Sequence, residues 1–140
     1  ADGLVIPGVG AFATCMEGLL KHRADAIIDA RMTKNLQTLG ICVGAQTLFS
    51  FGDEHDVVTP GLGQWNGTVT KLPAPKLPHM GWNSINSIPD ILLENIDINT
   101  GFYFLHSFEC FPDENEESIS IKSEFEQNQI NAIVIKDSIV

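Results

Sequence analysis

Leu39-Gly40-Ile41-Cys42-Val43-Gly44-Ala45-Gln46 sets a short apolar run against a cysteine, a glycine and then helix-forming residues. The stretch reads as a nucleophile elbow. A strand enters at Leu39 to Ile41, the chain turns sharply at Cys42, and a helix leaves from Gly44 to about Phe49, so that the sulfur projects from the turn. Gly40 and Gly44 lack Cβ atoms, which lets the backbone take strained angles and lets strand and helix pack closely beside the reactive side chain. A helix N-terminus just after Cys42 favours thiolate over thiol and so raises nucleophilicity. A buried structural cysteine at a strand end fits the same spacing.

Upstream of the elbow, Leu4-Val5-Ile6 is a β-type run closed by Pro7-Gly8-Val9-Gly10, a loop that either holds an anion on its backbone N–H groups or simply turns strand into helix. Phe12, Met16, Leu19 and Leu20 recur at helical spacing, with Gly18 as a weak point. Cys15 and His22 fall on or near this helix, the first as packing and the second, between Lys21 and Arg23, as a solvated residue. Ala24 to about Leu36 reads as a second helix in which Ile27, Ile28, Arg31 and Met32 mix an apolar stripe with charge. Strand, helix and strand in this order predict an α/β layered fold with a parallel sheet, and functional groups then gather at the carboxyl ends of its strands. Gly8 to Gly10 and Cys42 both lie at such ends.

Downstream, Phe51 to Gly63 is rich in Gly, Asp, Glu and Pro and is expected to be a loop. Gly67 to Leu72 alternates like a half-solvated strand, and Pro73 to Pro78 is a stiff connector. His79-Met80-Gly81-Trp82-Asn83 is either a partner surface or a core plug, since Met and aromatics serve both. Ile91 to Ile96 suggests a helical turn, Phe102 to Leu105 an aromatic strand ending at His106-Ser107-Phe108, and Ser118 to Phe125 and Ile130 to Ile135 two further strands. The acidic run Glu114 to Glu117 is expected to be a solvated loop. No repeat or composition shift divides the 140 residues, so one domain over 1–140 is expected.

A net charge of −10 would repel phosphate backbones and anionic membrane surfaces, which argues against nucleic acid and membranes as partners. Three widely spaced cysteines, Cys15, Cys42 and Cys110, with no C-x-x-C pair, resemble reduced cytoplasmic thiols more than a disulfide framework or a zinc site. No metal or cofactor is expected. The chain starts without methionine and runs almost at once into a core strand, so it is read as truncated at the front.

A cysteine nucleophile needs a base to hold it as thiolate and an oxyanion hole for the charge that develops on the attacked carbonyl. Backbone N–H groups at Val9 or Gly10 and at Val43 supply two donors if the two loops lie side by side. The base is harder to find. His22, His55, His79 and His106 are the only histidines, and none is followed two residues later by a carboxylate that could orient it. A Cys-His hydrolase using His79 or His106 would need one of these rings at the sulfur.

Pro7-Gly8-Val9-Gly10-Ala11-Phe12, Gly40-Ile41-Cys42-Val43-Gly44-Ala45-Gln46, Gly61-Leu62-Gly63, Pro78-His79-Met80-Gly81-Trp82-Asn83 and Phe104-Leu105-His106-Ser107-Phe108 resemble the class I glutamine amidotransferases. More narrowly they resemble the branch formed by the glutaminase subunits of imidazole glycerol phosphate synthase, from histidine biosynthesis. The resemblance implies a flavodoxin-like layered sheet with helices on both faces. It implies that Cys42 attacks the glutamine side-chain amide, forms a γ-glutamyl thioester and releases ammonia to a (β/α)8-barrel cyclase in a heterodimer. By the same resemblance Gly8, Val9 and Gly10, with Val43, form the oxyanion site. Gln46, Glu54, Ser107 and Phe108 bind glutamine, and His79, Met80, Gly81, Trp82 and Asn83 face the cyclase.

The family places its catalytic histidine and glutamate in a His-Pro-Glu motif after the last strands, which this chain stops short of, so the chain is expected to be a fragment without its general base. Ala45 stands where methionine is usual and Phe108 where tyrosine is usual; the second removes a hydroxyl near the glutamine pocket. Two other roles stay open: a catalytically incomplete homologue acting as a binding or regulatory subunit, and the amidotransferase partner of a different synthase.

Overall fold

The computed structural model describes residues 1–86, 94–97 and 99–140. β1 (Leu4–Gly8) and β2 (Thr38–Cys42) pair in parallel, from Leu4 opposite Thr38 to Gly8 opposite Cys42. The crossover between them is α1 (Phe12–Lys21) and α2 (Ala24–Thr33). α1 buries Phe12 and Met16, as its spacing predicts, whereas Leu20 and, on α2, Ile27 face solvent. Arg31 is buried in α2 because its guanidinium has carbonyls to meet: it donates to those of Ala1, Asp2 and Gln37 at 3.1, 3.2 and 2.7 Å.

After the elbow comes a single helical turn, α3 (Val43–Gln46), shorter than the helix to Phe49 that the sequence predicts. Leu48, in the turn that follows, and Phe49, at the start of a strand, are instead fully buried. The expected loop 51–63 is largely sheet: β3 (Phe49–Glu54) pairs antiparallel with β4 (Val57–Pro60) around His55 and Asp56, which take φ of 56° and 61°. Two left-handed residues make the tight hairpin turn that matches strand twist. β5 (Trp65–Lys71) runs parallel to β3, and the four-stranded sheet has the order β4-β3-β5-β8, with β8 at Phe108–Pro112.

β6 (His79–Asn83) and β7 (Phe102–His106) form an antiparallel pair of their own, as do β9 (Ile119–Phe125) and β10 (Asn128–Ile135). Of the stretch expected as a helical turn, residues 91–93 lie outside the described residues. The main core gathers Ile6, Phe12, Met16, Ile28, Leu48, Phe49, Trp65 and Val69 between α1, α2 and the sheets. Within the acidic run, Glu116 is not solvated: its carboxylate pairs with Lys136 at 2.5 Å and accepts the Asn66 N–H at 2.6 Å. Among the described residues no helix is long and apolar enough to cross a membrane.

Candidate active site

Cys42 closes β2 with φ 55° and ψ −124°, a left-handed conformation costly for a residue with a Cβ, and its side chain is exposed. Close packing under the turn holds it there. A Cβ on Gly44 would lie 1.8 Å from the Ile6 carbonyl oxygen, and one on Gly8 would lie 2.3 Å from the Gly44 nitrogen, so β1, β2 and α3 meet at a distance only glycine permits. The parallel register sets Gly8 beside Cys42. The exposed loop through Val9 and Gly10 (φ 99°) therefore begins next to Val43, first residue of α3, whose N–H has no intrahelical partner. Cys15, half-buried on α1, donates its thiol to the Val9 carbonyl at 3.5 Å.

A cavity of about 450 Å³ opens at the elbow, with Cys42, Gln46, His106, Phe108, Glu109 and Cys110 in its wall. Gln46 and Phe108 also line a small void that holds Phe12 and Glu54 on the far side. Glu54 does not reach the Cys42 cavity; its Oε2 accepts the Phe12 N–H at 2.8 Å, capping α1. Ser107 lies at the corner between β7 and β8, its carbonyl accepting the Leu72 N–H at 2.9 Å.

Both nitrogens of each nearby histidine are committed. His106 Nδ1 bonds the Phe108 carbonyl at 2.9 Å and its Nε2 meets His79 Nδ1 at 2.9 Å, while His79 Nε2 meets Asn83 Nδ2 at 3.2 Å. Neither ring offers Cys42 a free base. Burial lowers the pKa of both, helped for His79 by the neighbouring His106 and opposed for His106 by its bond to Phe108.

The stretch expected to face a partner divides by strand alternation. His79 is only 2% exposed, stacked between Phe104 and Phe125 at centroid distances of 4.8 and 4.1 Å, so it is a core residue and not a contact surface. Gly81 and Asn83 are half-buried on the same side. Met80 and Trp82 point out, joined across the strand pair by exposed Leu105 and Tyr103.

Two features escape the sequence reading. One is the His79–His106 pairing, whose members are 27 residues apart. The other is Glu109, a buried carboxyl in the cavity wall: burial raises its pKa, against the pull of the Asn131 N–H at 2.6 Å and of Lys122. Its position in the F-E-C-F run of β8 carries no local sign of burial.

The sequence profile of the family described as "Glutamine amidotransferase class-I" matches residues 1–140. The chain belongs to this family. It is 53% identical over 109 residues to the "Imidazole glycerol phosphate synthase subunit HisH" of Mycolicibacterium paratuberculosis, covering 77% of this chain and 53% of that protein. The subunits of the same name from Thermobifida fusca and Streptomyces coelicolor are each 52% identical over 109 residues, with 52% and 49% of their lengths covered. The chain thus spans about half the length of the curated relatives it matches. A solved structure described as "Crystal structure of glutamine amidotransferase" superposes with a TM-score of 0.68 at 14% identity, covering 99% of this chain and 67% of that one. The α/β class expected from strand-helix-strand order is therefore that of the amidotransferases.

Proposed function

We propose that this amidotransferase chain is the glutaminase part of an imidazole glycerol phosphate synthase, acting in the cytoplasm as a heterodimer with a (β/α)8-barrel cyclase. The observation that carries the reading is Cys42: exposed, held at φ 55° on a glycine-packed elbow, and facing a cavity it shares with Gln46. Over the 109 residues aligned, about half are identical to those of proteins named as HisH subunits, which supports this branch of the class.

In this reading Cys42 Sγ attacks the side-chain carbonyl carbon of glutamine, and charge builds on the oxygen. N–H groups at Val9 or Gly10 and at Val43 receive that charge. The carbon–nitrogen bond breaks as the proton of the Cys42 thiol passes to the departing nitrogen, which leaves as ammonia; water then hydrolyses the thioester, giving glutamate and restoring the thiol. Gln46 and the Ser107–Phe108 corner hold the substrate. Glu54, whose Oε2 accepts the Phe12 N–H, supports the substrate site from the void it shares with Gln46 and Phe108. Met80 and Trp82 meet the cyclase, which accepts the ammonia. Glutamine, and neither nucleic acid nor membrane, is the small-molecule partner.

The test is covalent labelling of the gene product that carries this chain with the diazoketone analogue of glutamine. Saturable labelling at Cys42, lost in Cys42→Ala and faster with the cyclase bound, is expected. Labelling that does not saturate, or falls elsewhere, rejects the reading.

A further inference from the structure

His106, His79 and Asn83 form one hydrogen-bonded strut whose direction follows from donor accounting. The Phe108 carbonyl can only accept, so His106 Nδ1 carries a proton. With His106 neutral, its Nε2 accepts, and His79 Nδ1 donates across the 2.9 Å contact. His79 Nε2 then accepts from Asn83 Nδ2. The Asn83 amide cannot be turned round, because the same Nδ2 also donates to the Glu124 carbonyl at 2.6 Å. A proton added to either ring sets an N–H of His79 against an N–H of Asn83, or breaks the link between the rings. The strut is complete only with both imidazoles neutral.

It joins parts of the fold that share no strand pairing. His79 and His106 are cross-strand partners in the β6–β7 pair, whereas Phe108 opens β8 of the four-stranded sheet. Rotation of His79 is blocked by Phe104 on one face and Phe125 on the other. The far end of the strut fixes the carbonyl of Phe108, and Phe108 is in the wall of both the Cys42 cavity and the void beside Gln46 and Glu54.

We propose that His106, backed by His79 and Asn83, is a positioning residue for the glutamine pocket: it sets the Ser107–Phe108 corner against Gln46 and takes no proton from Cys42. The proposal rests on the glutaminase reading above.

Labelling kinetics of Cys42 with the diazoketone analogue of glutamine separate the two roles, because half-saturation reports the pocket and the maximal rate reports the sulfur. Iodoacetamide, which needs no pocket, reports the sulfur alone. His106→Leu should raise the half-saturating concentration about tenfold, the worth of one hydrogen bond, with the maximal and iodoacetamide rates unchanged. His106→Asn, which keeps a donor near the Phe108 carbonyl, should recover most of that loss. In the unmodified protein half-saturation should rise only on acidification past the ordinary histidine range, since burial lowers both rings, and His106→Asn should flatten that rise.

Asn83→Ala, at a half-exposed site, removes only the far end of the strut and should give a smaller rise in half-saturation while the fold, checked by circular dichroism, is kept. An unchanged half-saturation in both His106→Leu and Asn83→Ala overturns the proposal. So does a parallel fall in the maximal and iodoacetamide rates, which would make His106 a base. If the unmodified protein reacts with iodoacetamide at Cys42 but shows no saturable diazoketone labelling, the glutaminase reading itself fails and the strut's proposed role falls with it.

Discussion

Gly44 lies beneath the carbonyl of Ile6, so close that a Cβ at residue 44 would stand 1.8 Å from that oxygen. Backbone on both sides leaves neither atom free to yield. Gly44→Ala should therefore cost about 3 kcal/mol or more. Gly18, in the exposed middle of α1 with nothing within 4 Å of its ideal Cβ, provides the contrast. Gly18→Ala should add roughly 0.5–1 kcal/mol by restricting the unfolded chain and favouring helix. Urea denaturation of the gene product that carries this chain compares the two, and a Gly44→Ala loss under about 1 kcal/mol would contradict the packing account.

Glu116 gives the acid side of the stability profile. Burial of its carboxyl works to raise its pKa, but the bonds from Lys136 and the Asn66 N–H outweigh that and hold it below its ordinary 4.5. Because the folded value is depressed, the native state binds fewer protons here than the unfolded chain does. The stabilisation is present above the unfolded pKa and is lost as pH falls through the folded one. Glu116→Gln should cost about 2 kcal/mol at neutral pH and flatten the loss of stability on acidification. Denaturation midpoints between neutral and acid pH for both proteins decide it; parallel curves would remove Glu116 from the account.

The elbow and the two strands that build it, β1 and β2, are legible in the sequence because their determinants are local. Gly40, Cys42 and Gly44 lie within five residues, and the turn they build needs no distant partner to be recognised. Glu126 and Gln127, with φ of 50° and 67°, likewise turn β9 into β10 between two apolar runs that read as strands. What escapes depends on distant pairing. Phe51 pairs with Pro60 on one side and Thr68 on the other, and that double pairing makes a strand of residues whose composition reads as loop. His79 is drawn inside by His106 and Phe125, and Glu116 by Lys136, none of which a window around the residue contains. Sequence alone also cannot tell that Glu54 spends an oxygen on Phe12.

The three thiols should differ sharply in reactivity. Cys42 is exposed, and Cys15 and Cys110 are both half-buried, but desolvation, with Glu109 and Cys42 nearby, pushes the Cys110 thiol up to about 12. Only the thiolate attacks an alkylating agent, so Cys110 stays inert at neutral pH although it shares the Cys42 cavity. Limited iodoacetamide treatment followed by peptide mass spectrometry should find Cys42 modified first, Cys15 more slowly and Cys110 unmodified until the protein is unfolded. Early modification of Cys110 would show that the cavity wall is more open than described.

Trp82, 72% exposed, packs edge-on against Tyr103 at 5.4 Å beside exposed Met80 and Leu105, an apolar patch on one face of the β6–β7 pair. Exposure means that little folding energy is invested in Trp82, so Trp82→Ala should change stability by no more than about 0.5 kcal/mol. If the patch meets the cyclase as proposed, the same change removes a large aromatic anchor, and such anchors cost about 2 kcal/mol or more when truncated, a loss of roughly thirtyfold in affinity. His79→Ala makes the opposite prediction, since removing a ring held between Phe104 and Phe125 should lower stability first and affect binding only through the fold. Calorimetric titration with purified cyclase beside urea unfolding separates the effects. Equal affinity for Trp82→Ala and the unmodified protein would move the interface elsewhere on the surface.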